Sequence, residues 1–342
     1  MYISLSARIY LNVEALNMVE SIGNYTRHRR VPVVLKEATG KGESREWRMA
    51  LRYVPAISGE ALAHAYQELL AKIASEMGLK VCKRCSMGEF VKHADKNMFA
   101  GEPWEKEITE SKSMDHIEEV IVKNCIVEDI GGFLYTGPPP TRRTSRIQFS
   151  YMVPSIEAVE AGAVASEPQF HVRHVPSAPE RRAQMIYYVE TGSALYTFTT
   201  LLNLADIGYI TKVSGEKTLV VEDRDRRVET AVKALAILVS NALFGAKRSR
   251  FTPLWKVESL VAAVSKPLPF IVNPGHNKLY VKETTDRAKK YISILKQLGE
   301  DVKVLYYTAE GDIVEPESGA TKCNSVEEVF EKILELVRKE LR

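Results

Sequence analysis

Ile3-Ser-Leu-Ser-Ala-Arg-Ile-Tyr-Leu11 alternates apolar and polar side chains from end to end. Ile3, Leu5, Ala7, Ile9 and Leu11 fall on one face and Ser4, Ser6, Arg8 and Tyr10 on the other, the period of two that marks a half-buried strand with one polar face. Outward from it, a connection carrying Asn17, Ser21, Gly23, Asn24 and the Arg27–Arg30 cluster leads to a second strand, Trp47 to Val54. Ser58 follows as an N-cap, its hydroxyl placed to accept from the free amides of a first helical turn. Leu62, Ala65, Tyr66, Leu69, Leu70, Ile73 and Met77 then recur at helical spacing until Gly78 ends the run. Ile121 to Val127 and Gly131 to Tyr135 could pair as short strands. Met185 to Glu190 and Ala194 to Thr200 read as strands, and Val228 to Phe244 as a second buried helix. Strand, helix, strand, insertion, strand, helix, strand is the order of a ferredoxin-like α+β sheet interrupted by large insertions.

The expected core is discontinuous, over residues 1–79, 119–135 and 183–270. Residues 80–118, charged and turn-rich, read as an inserted subdomain, and 136–182 as a projecting arm. Residues 271–342 form a C-terminal α/β extension packed on the core. In the last third a strand near Trp255 to Val264 precedes a helix near Thr284 to Leu298 and a strand at Val302 to Tyr307. A final helix opens with Ser325-Val-Glu-Glu328, a capping box.

With 342 residues, 45% hydrophobic and 27% charged, the chain has the balance of a soluble globular protein able to bury a sizeable core. It holds no apolar run of about 18 residues, so no membrane span is expected. The first residues lack the basic head and apolar core of a signal peptide, and four cysteines make no disulfide framework in a chain this long. A cytoplasmic protein is the economical expectation. The formal charge of +3 says little about partners. Its distribution says more.

Three segments are basic and free of acids: Asn24-Tyr-Thr-Arg-His-Arg-Arg30, Thr136-Gly-Pro-Pro-Pro-Thr-Arg-Arg-Thr-Ser-Arg-Ile-Gln-Phe-Ser-Tyr-Met152 and Gly245-Ala-Lys-Arg-Ser-Arg-Phe-Thr-Pro253. Arginine beside aromatics is the pairing that holds phosphates and packs against bases. Arg27, Arg29 and Arg30, then Arg142, Arg143 and Arg146, then Lys247, Arg248 and Arg250 are therefore candidate contacts to one nucleic-acid groove. The prolines of the second segment restrict its backbone, and Ile147, Phe149 and Tyr151 alternate, so it reads as a hairpin arm returning through Phe170-His171-Val172-Arg173-His174.

Other chemistry is sparse. Cys82-Lys-Arg-Cys85 has the spacing of half a zinc site, with His93 nearby, but a structural zinc needs four ligands and no second C-x-x-C exists. Two ordinary cysteines are the favoured reading, with no metal and no cofactor. His171 and His174 flank Arg173 and suit ribose or phosphate contact or plain packing. No phosphate-cradling glycine loop, G-x-S-x-G or H-E-x-x-H occurs, and no aspartate precedes Asp95. No catalytic residue is assigned.

Taken together, Asn17-Met-Val-Glu-Ser-Ile-Gly-Asn-Tyr-Thr-Arg-His-Arg-Arg-Val-Pro-Val-Val-Leu35, Arg52-Tyr-Val-Pro-Ala-Ile-Ser-Gly-Glu-Ala-Leu-Ala-His-Ala-Tyr-Gln67, Gly131-Gly-Phe-Leu-Tyr135, Thr141-Arg-Arg-Thr-Ser-Arg-Ile147, Gln169-Phe-His-Val-Arg173, Ser193-Ala-Leu-Tyr-Thr-Phe198 and Lys247-Arg-Ser-Arg-Phe251 carry a family likeness. In these blocks the chain resembles the DevR-type backbone subunits of archaeal type I-A CRISPR interference complexes, the archaeal Cascade. The resemblance implies a modified RNA-recognition-motif sheet with insertions and a thumb-like hairpin. It implies a protein that lies in many copies along CRISPR RNA, beside other Cascade subunits, and presents the spacer to target DNA. The RNA contacts it implies are Asn17, Asn24, Arg27, His28, Arg29, Arg30, Ser58, Arg142, Arg143, Arg146, His171, Arg173, Lys247, Arg248 and Arg250. Related subunits of type III complexes cut RNA with an aspartate near the N-terminal part of the fold. Here only Glu14, Glu20 and Glu37 could substitute, so a metal-dependent endoribonuclease of the same general fold is the second reading.

Overall fold

The computed structural model describes residues 1–12, 18–39, 46–90, 96–164, 166–174, 184–241, 252–309 and 311–341. Strand β1 (Tyr2–Asn12) is followed by β2 (Met18–Ile22), β3 (Tyr25–His28), β4 (Arg30–Thr39) and β5 (Glu46–Pro55). Helix α1 (Gly59–Glu76) comes next, then α2 (Lys83–Ser86), α3 (Glu105–Thr109), α4 (Met114–Asn124) and α5 (Ile126–Gly131). Short strands β6 (Phe133–Tyr135), β7 (Thr141–Arg143), β8 (Ile147–Phe149) and β9 (Val153–Pro154) lead to α6 (Ile156–Glu160). Strand β10 (Ser166–His174) and the long β11 (Gln184–Asn203) precede β12 (Tyr209–Thr211), β13 (Lys217–Leu219) and α7 (Arg224–Ser240). The remainder is β14 (Trp255–Lys266), α8 (Tyr280–Ile294), β15 (Asp301–Thr308), β16 (Ala320–Cys323) and α9 (Val326–Leu341).

The principal sheet is mixed and runs β16-β15-β14-β1-β11-β3-β2, with β8, β9 and β10 also on β11. β1 lies antiparallel to both β11 and β14, while β3 joins β11, and β16 joins β15, in parallel. β4 with β5, β6 with β7 and β12 with β13 form separate antiparallel pairs. Trp47 to Val54 is thus a strand, but it pairs with β4 outside the principal sheet.

Helices α1, α7 and α9 cover one face of the sheet. Ser58 caps α1 as expected, accepting from the Ala61 N–H at 3.2 Å, and Leu62, Tyr66 and Leu70 bury against the apolar face of β1. Each such side chain taken from water contributes about 1.5–3 kcal/mol. Gly59 is needed where it stands, since any Cβ there would run into the Phe149 carbonyl. The capping box of α9 is formed, with Ser325 accepting from the Glu328 N–H at 3.1 Å.

The other face of β1 is also covered, contrary to the half-buried expectation. Ser4, Ser6 and Arg8 are buried because the chain between Phe270 and Gly275 lies across them. Ser4 donates to the Phe270 carbonyl at 2.6 Å and accepts from the Val272 N–H at 3.2 Å. Arg8 is held by Glu258 at 2.5 Å, Glu157 at 2.7 Å and the Gly275 carbonyl at 3.2 Å. β14 is therefore an inner strand, with Leu260 and Ala262 facing the α1 side and Val261 and Ala263 facing Phe270, Val272 and α8.

Three further expectations fail. Residues 114–131 are helical, because Ile117, Val120 and Ile121 present a 3.6-residue stripe to the core, and only Phe133–Tyr135 is extended. The 80–118 stretch supplies core residues, among them Phe99, Trp104 and Ile108. The triple-proline segment does not project as an arm: β7 pairs with β6, β8 and β9 pair with β11, and Ile147 and Met152 are buried. The hairpin that stands clear of the helices is β10 with the first half of β11.

Candidate nucleic-acid interface

The Asn24–Arg30 cluster is laid along that hairpin. β3 pairs in parallel with β11 through Tyr25–Tyr188 and Thr26–Val189, while β10 pairs on the opposite edge of β11. Asn24 fastens the join: its side-chain amide donates to the Ile186 carbonyl at 3.0 Å, and its own carbonyl accepts from the Tyr188 N–H at 2.9 Å.

Because cross-strand partners share a face, Phe170, Tyr188 and Tyr25 form one aromatic row over three strands. Tyr188 meets Phe170 edge-on at 5.5 Å between centroids and Tyr25 at 6.3 Å. Phe170 is 54% exposed and Tyr188 37%, with Val172 and Ile186 uncovered beside them. On the reverse face His171 stacks on Tyr187, 5.2 Å between centroids at 14° between planes. The row was not anticipated, since its members come from three separate segments. The signal available was the pair Tyr187-Tyr188 inside a strand pattern.

At the root of the hairpin Glu190 is buried and collects three donors. The His28 N–H donates at 2.9 Å, the Ser166 hydroxyl at 2.6 Å and Arg30 at 2.6 Å. Burial pushes its carboxyl up, but the Ser166, His28 and Arg30 bonds outweigh that and hold it at about 2. Arg30 is thus partly committed, its side chain still 36% exposed, and the His28 side chain is buried. Arg27 and Arg29 are half-buried, and Arg29 reaches the Tyr151 hydroxyl at 3.5 Å. These side chains, with Tyr151 and the exposed Arg142, leave cationic groups at the surface.

Two candidates face inward. Arg143 has a side chain with 0% exposure and is consumed by Asp129, by Glu118 at 2.6 Å and by the Tyr209 carbonyl at 2.9 Å. Asp129, itself fully buried, also binds Arg227 at 3.0 Å and the Gly208 N–H at 3.0 Å. This is a structural hub and offers no guanidinium to a ligand. Ser58 is likewise buried and its hydroxyl is engaged as the α1 cap. Arg146 is intermediate, with 16% side-chain exposure and Asp206 at 3.9 Å. Arg173 lies in β10. Asn17, Lys247, Arg248 and Arg250 lie outside the described residues, as do Phe251 and His93.

Glu37 is tied up with Arg48 at 3.4 Å and with Arg52, and Glu14 lies outside the described residues. Among the described residues no trio of carboxylates and histidines converges, the one metal-competent group being made of cysteines. No helix of the described residues is long and apolar enough to cross a membrane.

Comparison with known proteins meets the family resemblance. The chain matches the family described as CRISPR-associated negative auto-regulator DevR/Csa2 over residues 5–285. It is 40% identical over 337 residues to the CRISPR-associated aCascade subunit Cas7/Csa2 2 of Saccharolobus solfataricus, covering 97% of this chain and 99% of the relative. The CRISPR-associated protein Cas7/Cst2/DevR of Methanocaldococcus jannaschii is 27% identical over 350 residues, 98% of this chain and 99% of that one. A chain of a solved CRISPR RNA-guided surveillance complex, pre-nicking, superposes with a TM-score of 0.53 over 98% of this chain and 100% of its own, at 11% identity. That likeness concerns the fold.

Proposed function

The chain belongs to the CRISPR-associated DevR/Csa2 family, and on that premise we propose that it is a non-catalytic, CRISPR RNA-binding backbone subunit of a Cascade-like interference complex. Copies of it would lie side by side along the spacer, with other Cascade subunits, and present the guide for pairing with target DNA in the cytoplasm. The observation that carries this reading is the joining of the acid-free Asn24–Arg30 cluster to an exposed aromatic row on one hairpin sheet. Arginines suit the phosphates and aromatic faces suit bases of any identity, so such a surface grips RNA without reading its sequence. That is the property a subunit needs if it must accept any spacer and leave base-pairing edges free.

The proposed contacts are Asn24, Arg27, Arg29, Arg30, Arg142, Arg146, His171 and Arg173, with Phe170, Tyr188 and Tyr25 added. Asn17, Lys247, Arg248 and Arg250 remain proposed from their sequence alone, and His28 enters as a buried support. Arg143 and Ser58 are withdrawn. Within the sheet, β14-β1-β11-β8 with α1 and α7 on one face reads as the strand order of a ferredoxin-like, RNA-recognition-motif core. The covered second face of β1 leaves that core no open platform, which favours contact through the hairpin. For the array of copies, Val34, Trp47, Met49, Leu51 and Tyr53 offer an uncovered apolar face on the β4–β5 pair.

Titrating two unrelated spacer RNAs across several salt concentrations tests the proposal. Log affinity should fall with log salt by about 0.7 per phosphate contacted, and nearly alike for both spacers. Arg27→Ala with Arg29→Ala should flatten that slope while the melting temperature holds. A flat response in the parent protein, or RNA cleavage on adding Mg²⁺, would overturn it.

A further inference from the structure

Cys82, Cys85 and Cys125 are all buried, and their three sulfurs lie within 4.8 Å of one another. Glu128, also buried, has Oε1 3.1 Å from the Cys85 sulfur. The four side chains come from two matching turns. Cys82 stands at the N-cap of α2 with Cys85 three residues on, and Cys125 stands at the N-cap of α5 with Glu128 three residues on. The Ile126 N–H donates to the Lys80 carbonyl at 3.0 Å, which holds the two turns against each other.

From this we infer a structural zinc site in the helical layer, with Cys82, Cys85, Cys125 and Glu128 as its four ligands. Zinc is bound by thiolate sulfur at about 2.3 Å and carboxylate oxygen at about 2.0–2.2 Å in a tetrahedron. Those bond lengths place ligand atoms roughly 3.5–3.8 Å apart; the three sulfurs already lie within 4.8 Å of one another, and the Glu128 carboxylate, beside Cys85, would turn towards the other two sulfurs to complete the set. The sequence offered only half of this site because the second turn is Cys-Ile-Val-Glu and not a second pair of cysteines. Buried cysteines alone would be ordinary packing. A buried carboxylate beside one of three clustered sulfurs is not an apolar arrangement. A divalent cation would give the thiolates and the carboxylate a shared positive centre.

With four protein ligands and no open position the ion would be structural. It would clamp the α2 turn to the α4–α5 junction, 43 positions further along the chain. The site stands apart from the hairpin and does not depend on the RNA reading.

The test uses the full-length reduced protein, stripped with a chelator and titrated with Co²⁺ and then Zn²⁺. The expected result is one ion per chain and a thiolate-to-cobalt charge-transfer band with the strong visible bands of a tetrahedral site. Zn²⁺ should bleach those bands, raise the melting temperature and protect three thiols from reagent. Cys125→Ser should abolish the band, whereas Cys323→Ser, a buried cysteine elsewhere, should keep it. Glu128→Gln should weaken Co²⁺ binding by about tenfold or more. Folded parent protein that shows no such band, with thiols equally reactive with and without Zn²⁺, would overturn the inference without recourse to any variant.

Discussion

β11 is one continuous strand in two settings. From Tyr196 to Leu202 it lies between β1 on one edge and β9, then β8, on the other, and Phe198 is 2% exposed. From Ile186 to Tyr188 it pairs with β10, β3 joining its other edge at Tyr188, and the side chains of Ile186 and Tyr188 stand in the open. Both halves carry aromatic and aliphatic residues, Ile186, Tyr187, Tyr188 and Val189 in one and Leu195, Tyr196, Phe198 and Leu202 in the other. What differs is the presence of α1 and α7 over the second half. The charged groups divide in the same way. Arg143 and Arg227 converge on one buried carboxylate in the body, whereas Arg27 and Arg29 remain half-open beside the hairpin. Burial by a helical layer turns a residue to stability, and its absence leaves the same residue for a ligand.

The harshest way to break this contrast is Asp129→Ala, which removes the one fully buried carboxylate that two buried guanidinium groups share and leaves them only the partly exposed Glu118 and Asp223. Breaking a buried ion pair from one side costs about 3–5 kcal/mol. Urea unfolding should show that loss, and any fall in RNA affinity should track the unfolded fraction. An unchanged midpoint would remove the hub from the account of the body.

A paired substitution sharpens the comparison. Phe198→Ala should cost about 3–5 kcal/mol of stability, as truncation of a buried ring does. Phe170→Ala, on the open half, should change stability by no more than about 0.5 kcal/mol. It should instead weaken RNA binding by about 1–3 kcal/mol if a base stacks on the row. Equal stability losses at the two positions would mean that the hairpin is core after all.

Glu190, at the boundary between the halves, gives the smallest effect. Its carboxyl sits at about 2 in the folded chain, against an ordinary 4.5. A depressed value means stability that is fully present above pH 4.5 and drains away as pH falls towards 2. Amide exchange at His28 and Tyr188 should therefore quicken over that window before the body loosens. Glu190→Gln should abolish the dependence, and its persistence in that variant would assign it to another group.

Much of the fold was legible where the signal is local. The period of β1, the apolar stripe and cap of α1, and the Ser325 capping box were all readable because 2.0 and 3.6 residue repeats lie within a few turns. The covering of Ser4, Ser6 and Arg8 was not, since the segment that does it lies far along the chain. Ile121 to Val127 was misread as a strand because β-branched Ile121, Val122, Ile126 and Val127 imitate one when their helical partners are unknown. In the site, the Arg27–Arg30 cluster was visible as charge. Arg143 looked the same in sequence, and only Asp129 and Glu118, brought in from outside its segment, reveal it as interior. The aromatic row was hidden because one ring comes from each of three strands.

The strap across β1 has a consequence for how the protein is made. Ser4 finds its partner at Val272, 268 positions later. At about 5–20 residues per second, the ribosome takes on the order of ten seconds to a minute to deliver that segment. Until β11 is complete at Asn203 the strand β1 has two open edges on the nascent chain, and until β14 is complete at Lys266 it still has one. Chaperone capture, if it occurs during synthesis, would be concentrated on residues 2–12, and release would await the emergence of β14.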